Sequence, residues 1–388
     1  MKHSERLERI PPYLFAQLER KIADKRAAGI DVITLGIGDP DIPTFPPIVE
    51  AAQRAVANPS THTYPSNRGR EEFREAVAGF YGRRFGVGLE PDGEVMPAIG
   101  AKECIFNLNI AFLDPDDVAL AADPGYPVYT GGPLLAGARA ELMPLVPELG
   151  FIPDLEAVTA EARAAAKLLF VNYPNNPTGA IVPDGFFERL VEFGAANDIL
   201  IVHDNAYSET TYGGYVAPSF LATPGAKDVG VEVFSLSKGY NMTGWRCAAI
   251  VGNRDAIASY WRLKTNVDSG LFEAVQLTAA AALGPALDSY KAQMNETYRR
   301  RRDLVCDALA RIGVDVTPPQ GTIYIWAPVP AGYENAAAYC EHVLEEAAVV
   351  LSPGGAYGKN GEGFFRISLT TPDDRLEEAV ERLGRLSA

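Results

Sequence analysis

The stretch Phe-Ser-Leu-Ser-Lys-Gly-Tyr-Asn-Met-Thr-Gly-Trp-Arg occupies residues 234–246 and continues an apolar run that predicts a buried strand. A lysine at the end of such a strand, here Lys238, is costly unless it is paired or deprotonated. Ser235, Ser237 and Arg246 add hydroxyls and a guanidinium that can bind a phosphate. An amine nucleophile beside a phosphate site suits a Schiff base to pyridoxal phosphate, although an isolated Ser-x-Ser-Lys is more often a surface turn.

Other apolar runs along the chain also end in polar turns. The clearest runs lie at residues 118–121, 167–172, 199–203, 231–234 and 247–251, and helix-length segments separate them. This alternation predicts an α/β fold with a mostly parallel sheet covered on both faces. Ligands of such sheets bind beyond the carboxyl ends of the strands, so the turns at residues 123–127, 173–179, 204–207 and 235–246 should converge on one site.

The remaining segments predict a second, smaller domain. The pattern of residues 7–29 predicts a helical arm closed by Gly29, and the next apolar run, residues 32–35, predicts a strand. A long helix from residue 285 to about 312 leaves the sheet, and short strands follow at residues 322–326 and 365–369. We therefore expect three parts. They are an arm with part of the small domain (1–45), a large cofactor-binding domain (46–284), and an interdomain helix with the C-terminal small domain (285–388).

From about Gly36 to Arg366, the chain resembles the class I/II aminotransferases, which are fold-type I pyridoxal-phosphate enzymes. Asn-Asn-Pro-Thr-Gly (175–179), Asp-x-x-Tyr (204–207), Ser-x-Ser-Lys (235–238) and the late arginine occur in that family's order and approximate spacing. Each motif is weak or moderate alone, and the combination is strong. The resemblance implies a seven-stranded, mostly parallel sheet sandwiched by helices, a smaller α/β domain built from both termini, and ping-pong transfer of an amino group.

The resemblance also assigns roles around the cofactor ring. Lys238 should bind the cofactor covalently and then move the proton released from the substrate Cα. Asp204 should keep the pyridine nitrogen protonated, which makes the ring an electron sink. Tyr207 and Asn176 should hydrogen-bond the phenolic oxygen, and Tyr126 should stack on the ring. For Asp204, Asn176 and Tyr126, ordinary turn or packing roles are the alternatives.

The same resemblance places the phosphate and the substrate. The expected phosphate ligands are Ser235, Ser237, Arg246, Ala101 and Lys102, the last two at a helix start where free N–H groups bind anions. Tyr64 should reach the phosphate of a neighbouring subunit, which implies a homodimer with shared active sites. Arg366 should grip the substrate α-carboxylate as a planar fork, with a structural ion pair as the alternative. Asn176 should also reach that carboxylate, and Gly38 should allow close approach to the same pocket.

The substrate is less well determined than the cofactor. Residues 36–43, 100–103, 172–179 and 234–246 most resemble LL-diaminopimelate aminotransferases of lysine biosynthesis. Their relatives act on alanine, aspartate, aromatic amino acids or N-succinyldiaminopimelate, and a carbon–sulfur lyase would share every cofactor residue. A nicotinamide dehydrogenase is disfavoured because Gly36-x-Gly38-x-x-Asp41 lacks the third glycine. A transcription regulator would need a DNA-binding module, for which there is no room before the arm.

Composition excludes several other classes. A net charge of −15 over 388 residues argues against nucleic-acid binding, and no apolar run approaches the roughly 20 residues that span a bilayer. Without a signal-like N-terminus, we expect a cytoplasmic protein. The four cysteines lack metal or redox spacing and should be buried thiols, and the four scattered histidines predict no metal site. The arginines at residues 299–302 fan around a helix, so we expect a solvated or bridging role.

Overall fold

A computed structural model of the chain describes residues 2–10 and 14–386, so residues 11–13 of the predicted arm lie outside the described residues. The helices are α1 Glu5–Glu8, α2 Leu14–Ala27, α3 Pro46–Ala57, α4 Glu71–Phe85, α5 Pro91–Glu94, α6 Ala101–Phe112, α7 Val128–Ala136, α8 Ala160–Ala165, α9 Phe186–Asn197, α10 Ala226–Val229, α11 Leu236–Gly239, α12 Arg254–Lys264, α13 Glu273–Ala282, α14 Asp288–Arg311, α15 Ala336–Ala347 and α16 Asp373–Arg385. The strands are β1 Ile33–Thr34, β2 Val95–Ala98, β3 Val118–Asp123, β4 Arg139–Pro144, β5 Ala166–Val171, β6 Leu200–Asn205, β7 Gly230–Ser235, β8 Ala248–Gly252, β9 Tyr324–Pro328, β10 Val349–Val350, β11 Ser352–Pro353 and β12 Phe364–Ser368.

Seven strands form the central sheet in the order β2-β8-β7-β6-β5-β3-β4. Strand β8 runs antiparallel to both of its neighbours, and the other strands run parallel. The predicted mostly parallel, seven-stranded α/β architecture is therefore confirmed. The parallel arrangement places the carboxyl ends of β3, β5, β6 and β7 along one edge of the sheet.

Both faces of this sheet are buried, as continuous apolar strands require. Alternate residues of β3 point into two separate cores, one on each face of the sheet. Ala119 and Ala121 face a core that includes residues of α6, α7 and α12. Val118 and Leu120 face the opposite core, which includes residues of α4 and α9. The helical layers therefore fix the edge of the sheet where the strands end.

Segments from both ends of the chain build the smaller α/β part. Strand β1 pairs in parallel with β10, and β11, β12 and β9 form an antiparallel sheet. Within the arginine run, Arg301 is 6% exposed and binds Asp41 at 2.7 Å and Asp373 at 2.6 Å. Its bridge between α14, the N-terminal segment and α16 confirms the predicted bridging role.

Two further sequence predictions concern thiols and membranes. All four cysteines are buried and free, as predicted. Among the described residues, no helix combines the length and the apolar character needed to cross a bilayer.

Candidate active site

The carboxyl ends of the parallel strands meet at a cleft of about 340 Å³. Strands β3, β5, β6 and β7 all lead into its walls, as the sequence predicted. The predicted site residues that line it are Gly38, Ala101, Lys102, Tyr126, Asn176, Asp204, Tyr207, Ser235, Ser237, Lys238, Arg246 and Arg366. Tyr64 is not among the lining residues, and it is 88% exposed.

Lys238 lies in the short helix α11, which directly follows β7. The Ser235 side chain caps this turn by accepting a hydrogen bond from the Ser237 N–H at 3.2 Å. The Lys238 amine donates to the Gly38 carbonyl at 2.5 Å, which joins the lysine to the N-terminal segment across the cleft. The amine is therefore held inside the cleft.

Asp204 lies at the end of β6 and is almost completely buried. Its Oδ2 accepts a hydrogen bond from the Tyr129 hydroxyl at 2.7 Å, whereas its buried Oδ1 has no partner among the described residues. Burial raises the pKa of Asp204 to about 6 against the lowering effects of the Tyr129 hydroxyl and the His203 charge. A cationic N–H donor facing Oδ1 would satisfy that oxygen and stabilise the carboxylate.

A chain of hydrogen bonds connects Asp204 to Arg366. Asn172, just after β5, donates to the Asp204 backbone carbonyl at 2.7 Å and accepts from the Asn176 N–H at 2.7 Å. The Asn176 side-chain oxygen then accepts from Arg366 Nη1 at 2.8 Å. The amides of Asn172 and of Asn176, the latter from the Asn-Asn-Pro-Thr-Gly turn, thus lie between the aspartate and the arginine.

Arg366 is 4% exposed, and its guanidinium has no carboxylate partner among the described residues. Its Nη2 donates to the Gly36 carbonyl at 2.9 Å, and its buried Nε has no partner in the described structure. The guanidinium carbon lies 3.9 Å from the Tyr324 ring centroid and 4.7 Å from that of Tyr357. Because a buried cation needs an anion, this arrangement favours a ligand carboxylate over the structural ion pair.

A second group of donors gathers at the start of α6. Helix α6 begins at Ala101, directly after Gly100, whose φ of +79° suits glycine. A Cβ on Gly100 would overlap the Arg246 guanidinium, so the glycine lets that cation lie against the helix N-terminus. Free N–H groups and an arginine in this arrangement can bind a phosphate.

Three tyrosines of the cleft were missed by the sequence interpretation. Tyr129 binds Asp204, and the fully buried Tyr324 accepts a hydrogen bond from the Tyr207 hydroxyl at 3.3 Å. Tyr357 completes the aromatic surroundings of Arg366. A Cβ at Gly38 would overlap the Tyr324 hydroxyl, so the glycine makes room for this phenol as well as lining the cleft.

The electrostatics of the cleft suit anionic groups on its ligands. Lys102, Lys238, Arg246 and Arg366 contribute cations, although the whole chain carries a net charge of −15. The Lys102 amine also lies 5.8 Å from the Tyr126 ring centroid. Pyridoxal phosphate fits this set, because Asp204 Oδ1 can face the ring nitrogen while the Gly100–Arg246 cradle takes the phosphate.

Comparison with known proteins gives consistent results over the whole chain. Residues 30–383 match the family of class I and II aminotransferases. The LL-diaminopimelate aminotransferase of Desulforudis audaxviator is 53% identical, covering 98% of this chain and 96% of the relative. The enzyme of the same name from Moorella thermoacetica is 48% identical, covering 100% and 98%. The substrate-bound structure of BacF from Bacillus subtilis is 36% identical, with a TM-score of 0.95, covering 100% and 98%.

Proposed function

Because the chain belongs to the class I and II aminotransferases, which use pyridoxal phosphate, we propose that it transfers the amino group of LL-diaminopimelate to 2-oxoglutarate in lysine biosynthesis. The observation that supports LL-diaminopimelate as the amino-group donor is the sequence identity of 46–53% with relatives named LL-diaminopimelate aminotransferase. Those relatives match 98–100% of this chain. Aspartate, alanine, aromatic and N-succinyldiaminopimelate aminotransferases share the cofactor residues and are the alternatives.

Around the ring, the proposed roles follow from position and chemistry. Bound pyridoxal phosphate supplies an aldehyde that condenses with amines and a ring that accepts electrons from the substrate Cα. Lys238 holds the cofactor at rest and moves the Cα proton during the reaction. Asp204 holds a proton at the ring nitrogen, Tyr207 and Asn176 hydrogen-bond the phenolic oxygen, and Tyr126 stacks on the ring.

The phosphate and the substrate occupy opposite ends of this arrangement. We assign the phosphate to the hydroxyls of Ser235 and Ser237, the Arg246 guanidinium and the start of α6 at Ala101 and Lys102. At the other end, Arg366 binds the substrate α-carboxylate with help from the Asn176 amide, and Gly38 lines that pocket. The reaction then runs as ping-pong half-reactions in one cleft.

A homodimer with shared active sites is part of the proposal. The 88% exposure of Tyr64 supports it, because a tyrosine side chain that is so exposed in its own subunit is available to contact a partner subunit. Mixing Tyr64→Ala and Lys238→Ala subunits should restore one intact site in each hybrid dimer. Hybrid dimers without recovered activity would contradict shared sites.

Two further features remain predictions. We retain the division into residues 1–45, 46–284 and 285–388, which agrees with the pairing of β1 with β10. We also retain a cytoplasmic location, where the substrates of amino-acid biosynthesis are found.

A single-turnover half-reaction tests the proposed substrate. The enzyme is loaded with pyridoxal phosphate, and LL-diaminopimelate, glutamate, aspartate, alanine or phenylalanine is added without any oxo acid. Fast loss of the yellow cofactor band with diaminopimelate and glutamate alone supports the proposal. Fast reaction with several ordinary amino acids would contradict it and favour a general aminotransferase. Pyruvate and ammonia released with the band unchanged would indicate a carbon–sulfur lyase.

A further inference from the structure

A buried pair of side chains lies directly behind the cleft without lining it. His203 in β6 and Glu232 in β7 are both fully buried, and His203 Nδ1 lies 2.7 Å from Glu232 Oε1. The two residues are opposite each other in the parallel pairing of these strands. None of the roles proposed for the reaction uses this pair.

Glu232 is surrounded by hydrogen-bond donors, which favour the carboxylate over the protonated acid. Besides His203, its oxygens accept hydrogen bonds from Phe220 N at 2.6 Å, Tyr81 OH at 2.9 Å, Ser219 OH at 2.9 Å and Asn205 Nδ2 at 3.3 Å. Burial alone would raise the pKa of Glu232, but the hydrogen bonds from His203, Ser219 and Tyr81 bring it below its ordinary value. A carboxylate with this many donors has no proton to give to the imidazole.

Both neighbours of the His203 ring can accept a hydrogen bond. Its Nδ1 faces the Glu232 carboxylate, and its Nε2 lies 3.1 Å from the Tyr173 carbonyl oxygen, which can only accept. A neutral imidazole has one N–H, so it could serve only one of these acceptors. Only the imidazolium, with a proton on each ring nitrogen, would donate to both.

The position of the His203 ring connects it to three turns of the cleft. His203 directly precedes Asp204, and Glu232 lies three residues before Ser235. Tyr173 lies three residues before Asn176. The His203 ring therefore joins β6, which carries the aspartate, to β7, which leads into the lysine turn, and to the asparagine turn that follows β5.

We propose that His203 is a positioning residue whose imidazolium, held by Glu232 and the Tyr173 carbonyl, keeps Asp204 ionised and so able to hold a proton at the cofactor ring nitrogen. Asp204 needs such help because its own surroundings oppose ionisation: burial raises its pKa, and the groups that lower it are the Tyr129 hydroxyl from α7 and the His203 charge. On the other side of the pair, Glu232 also faces Tyr81 from α4. Because the role of Asp204 is itself part of the proposed function, the tests below include Asp204→Asn.

The protonation of His203 can be measured in the wild-type holoenzyme. The chain has four histidines, so a ¹⁵N spectrum of histidine-labelled protein is simple to assign by substitution. At about pH 8, where solvent-exposed histidines are neutral, we expect His203 alone to show two protonated ring nitrogens. A neutral His203 at that pH would overturn the proposal without any variant of the pair.

The effect on the cofactor is measured with ¹⁵N-labelled pyridoxal phosphate, whose ring-nitrogen shift reports protonation. His203→Gln removes the charge and keeps a hydrogen-bonding side chain. Glu232→Gln removes the carboxylate that holds the second ring proton, so that His203 becomes a neutral imidazole. Each should shift the proton from the ring nitrogen toward Asp204 by at least about tenfold in equilibrium, which corresponds to one pKa unit. Ser219→Ala is the matched control, since it deletes one hydrogen bond of Glu232 without changing a charge and should lower only the melting temperature.

The outcomes separate this proposal from the function on which it rests. If Asp204→Asn deprotonates the ring nitrogen but His203→Gln and Glu232→Gln leave it protonated as in the wild type, His203 is only structural and the proposal is wrong. If Asp204→Asn itself leaves the ring nitrogen protonated, the proposed role of Asp204 fails first. A displaced proton in both pair variants, with none in Ser219→Ala, supports the proposal.

Discussion

Replacing Arg366 by methionine should separate substrate binding from stability. The guanidinium now donates to the Asn176 amide and the Gly36 carbonyl, and it lacks a carboxylate among the described residues. A substrate carboxylate bound by this fork would gain two charge-assisted hydrogen bonds of about 1.5–3 kcal/mol each. Their loss, about 3–6 kcal/mol, corresponds to a dissociation constant about 10²–10⁴ times weaker.

The stability of the apoenzyme should respond much less. Burying a cation without a carboxylate is unfavourable. Removing the Arg366 guanidinium therefore offsets part of the stability lost with its contacts to the Tyr324 and Tyr357 rings. We expect the free energy of unfolding of the Arg366→Met apoenzyme to stay within about 1.5 kcal/mol of the wild type, as for a roughly volume-conserving change.

Arg301 supplies a matched control, because it is also buried but is held by Asp41 and Asp373. Arg301→Met breaks both ion pairs and should destabilise the protein by about 3 kcal/mol, while substrate affinity stays unchanged.

Stopped-flow half-reactions with LL-diaminopimelate give the apparent dissociation constant, and denaturant unfolding of the apoenzymes gives the stability. The two arginine variants should therefore show opposite patterns. An unchanged dissociation constant for Arg366→Met, combined with a loss of stability like that of Arg301→Met, would refute the assignment of Arg366 to the substrate.

Two further substitutions follow from the geometry of the cofactor site. Asp204→Asn should stabilise the apoenzyme at pH 7 by up to about 3 kcal/mol, because the pKa of Asp204 is raised from 3.8 to about 6 on folding. The stability that this raised pKa provides is complete below about pH 4 and is lost as the pH rises through 6. In thermal melts, the melting temperatures of the wild type and Asp204→Asn should therefore converge in acid. A difference in melting temperature that does not change with pH would contradict the raised pKa. Gly100→Ala should weaken pyridoxal phosphate at least about tenfold, because its Cβ would displace Arg246 from the helix start. Gly86→Ala, at a similar φ of +70° with nothing near the added Cβ, should lower stability but not cofactor affinity. An equal loss of cofactor affinity in Gly86→Ala and Gly100→Ala would refute the phosphate site at Gly100 and Arg246.

The sequence predicted those parts of the site that follow directly from strand ends. Asp204, Asn176 and Lys238 each lie a few residues beyond an apolar run, and parallel strands bring such turns to one edge of a sheet. Their convergence therefore needed only the strand pattern and the parallel topology. The bridging role of Arg301 was likewise accessible, since four consecutive arginines cannot share one helix face.

The aromatic side chains of the cleft could not be predicted in the same way. Tyr324 lies in an apolar strand, and Tyr129 lies in an apolar helix. Both patterns are typical of core packing, and only the tertiary placement of β9 and α7 brings their hydroxyls to Tyr207 and Asp204. For the same reason, the sequence explained only part of why position 38 is a glycine. The phenol that lies beside Gly38 comes from a distant segment of the chain.

The His203–Glu232 pair shows a similar limit. A histidine and a glutamate inside apolar runs give no local signal that they are neighbours, and the sequence indicated only that the histidines form no metal pattern. Their contact depends on the register between β6 and β7, which pairs them directly.

Mapping the lysine that binds the cofactor tests the central claim most directly. The holoenzyme is reduced with borohydride to fix any bond between pyridoxal phosphate and an amine, then digested and analysed by mass spectrometry. We predict one pyridoxyl phosphate per chain, on the peptide that contains Lys238, and none in Lys238→Ala. Modification of Lys102 instead, or the same labelling in Lys238→Ala, would contradict the assignment of Lys238 as the residue that binds the cofactor.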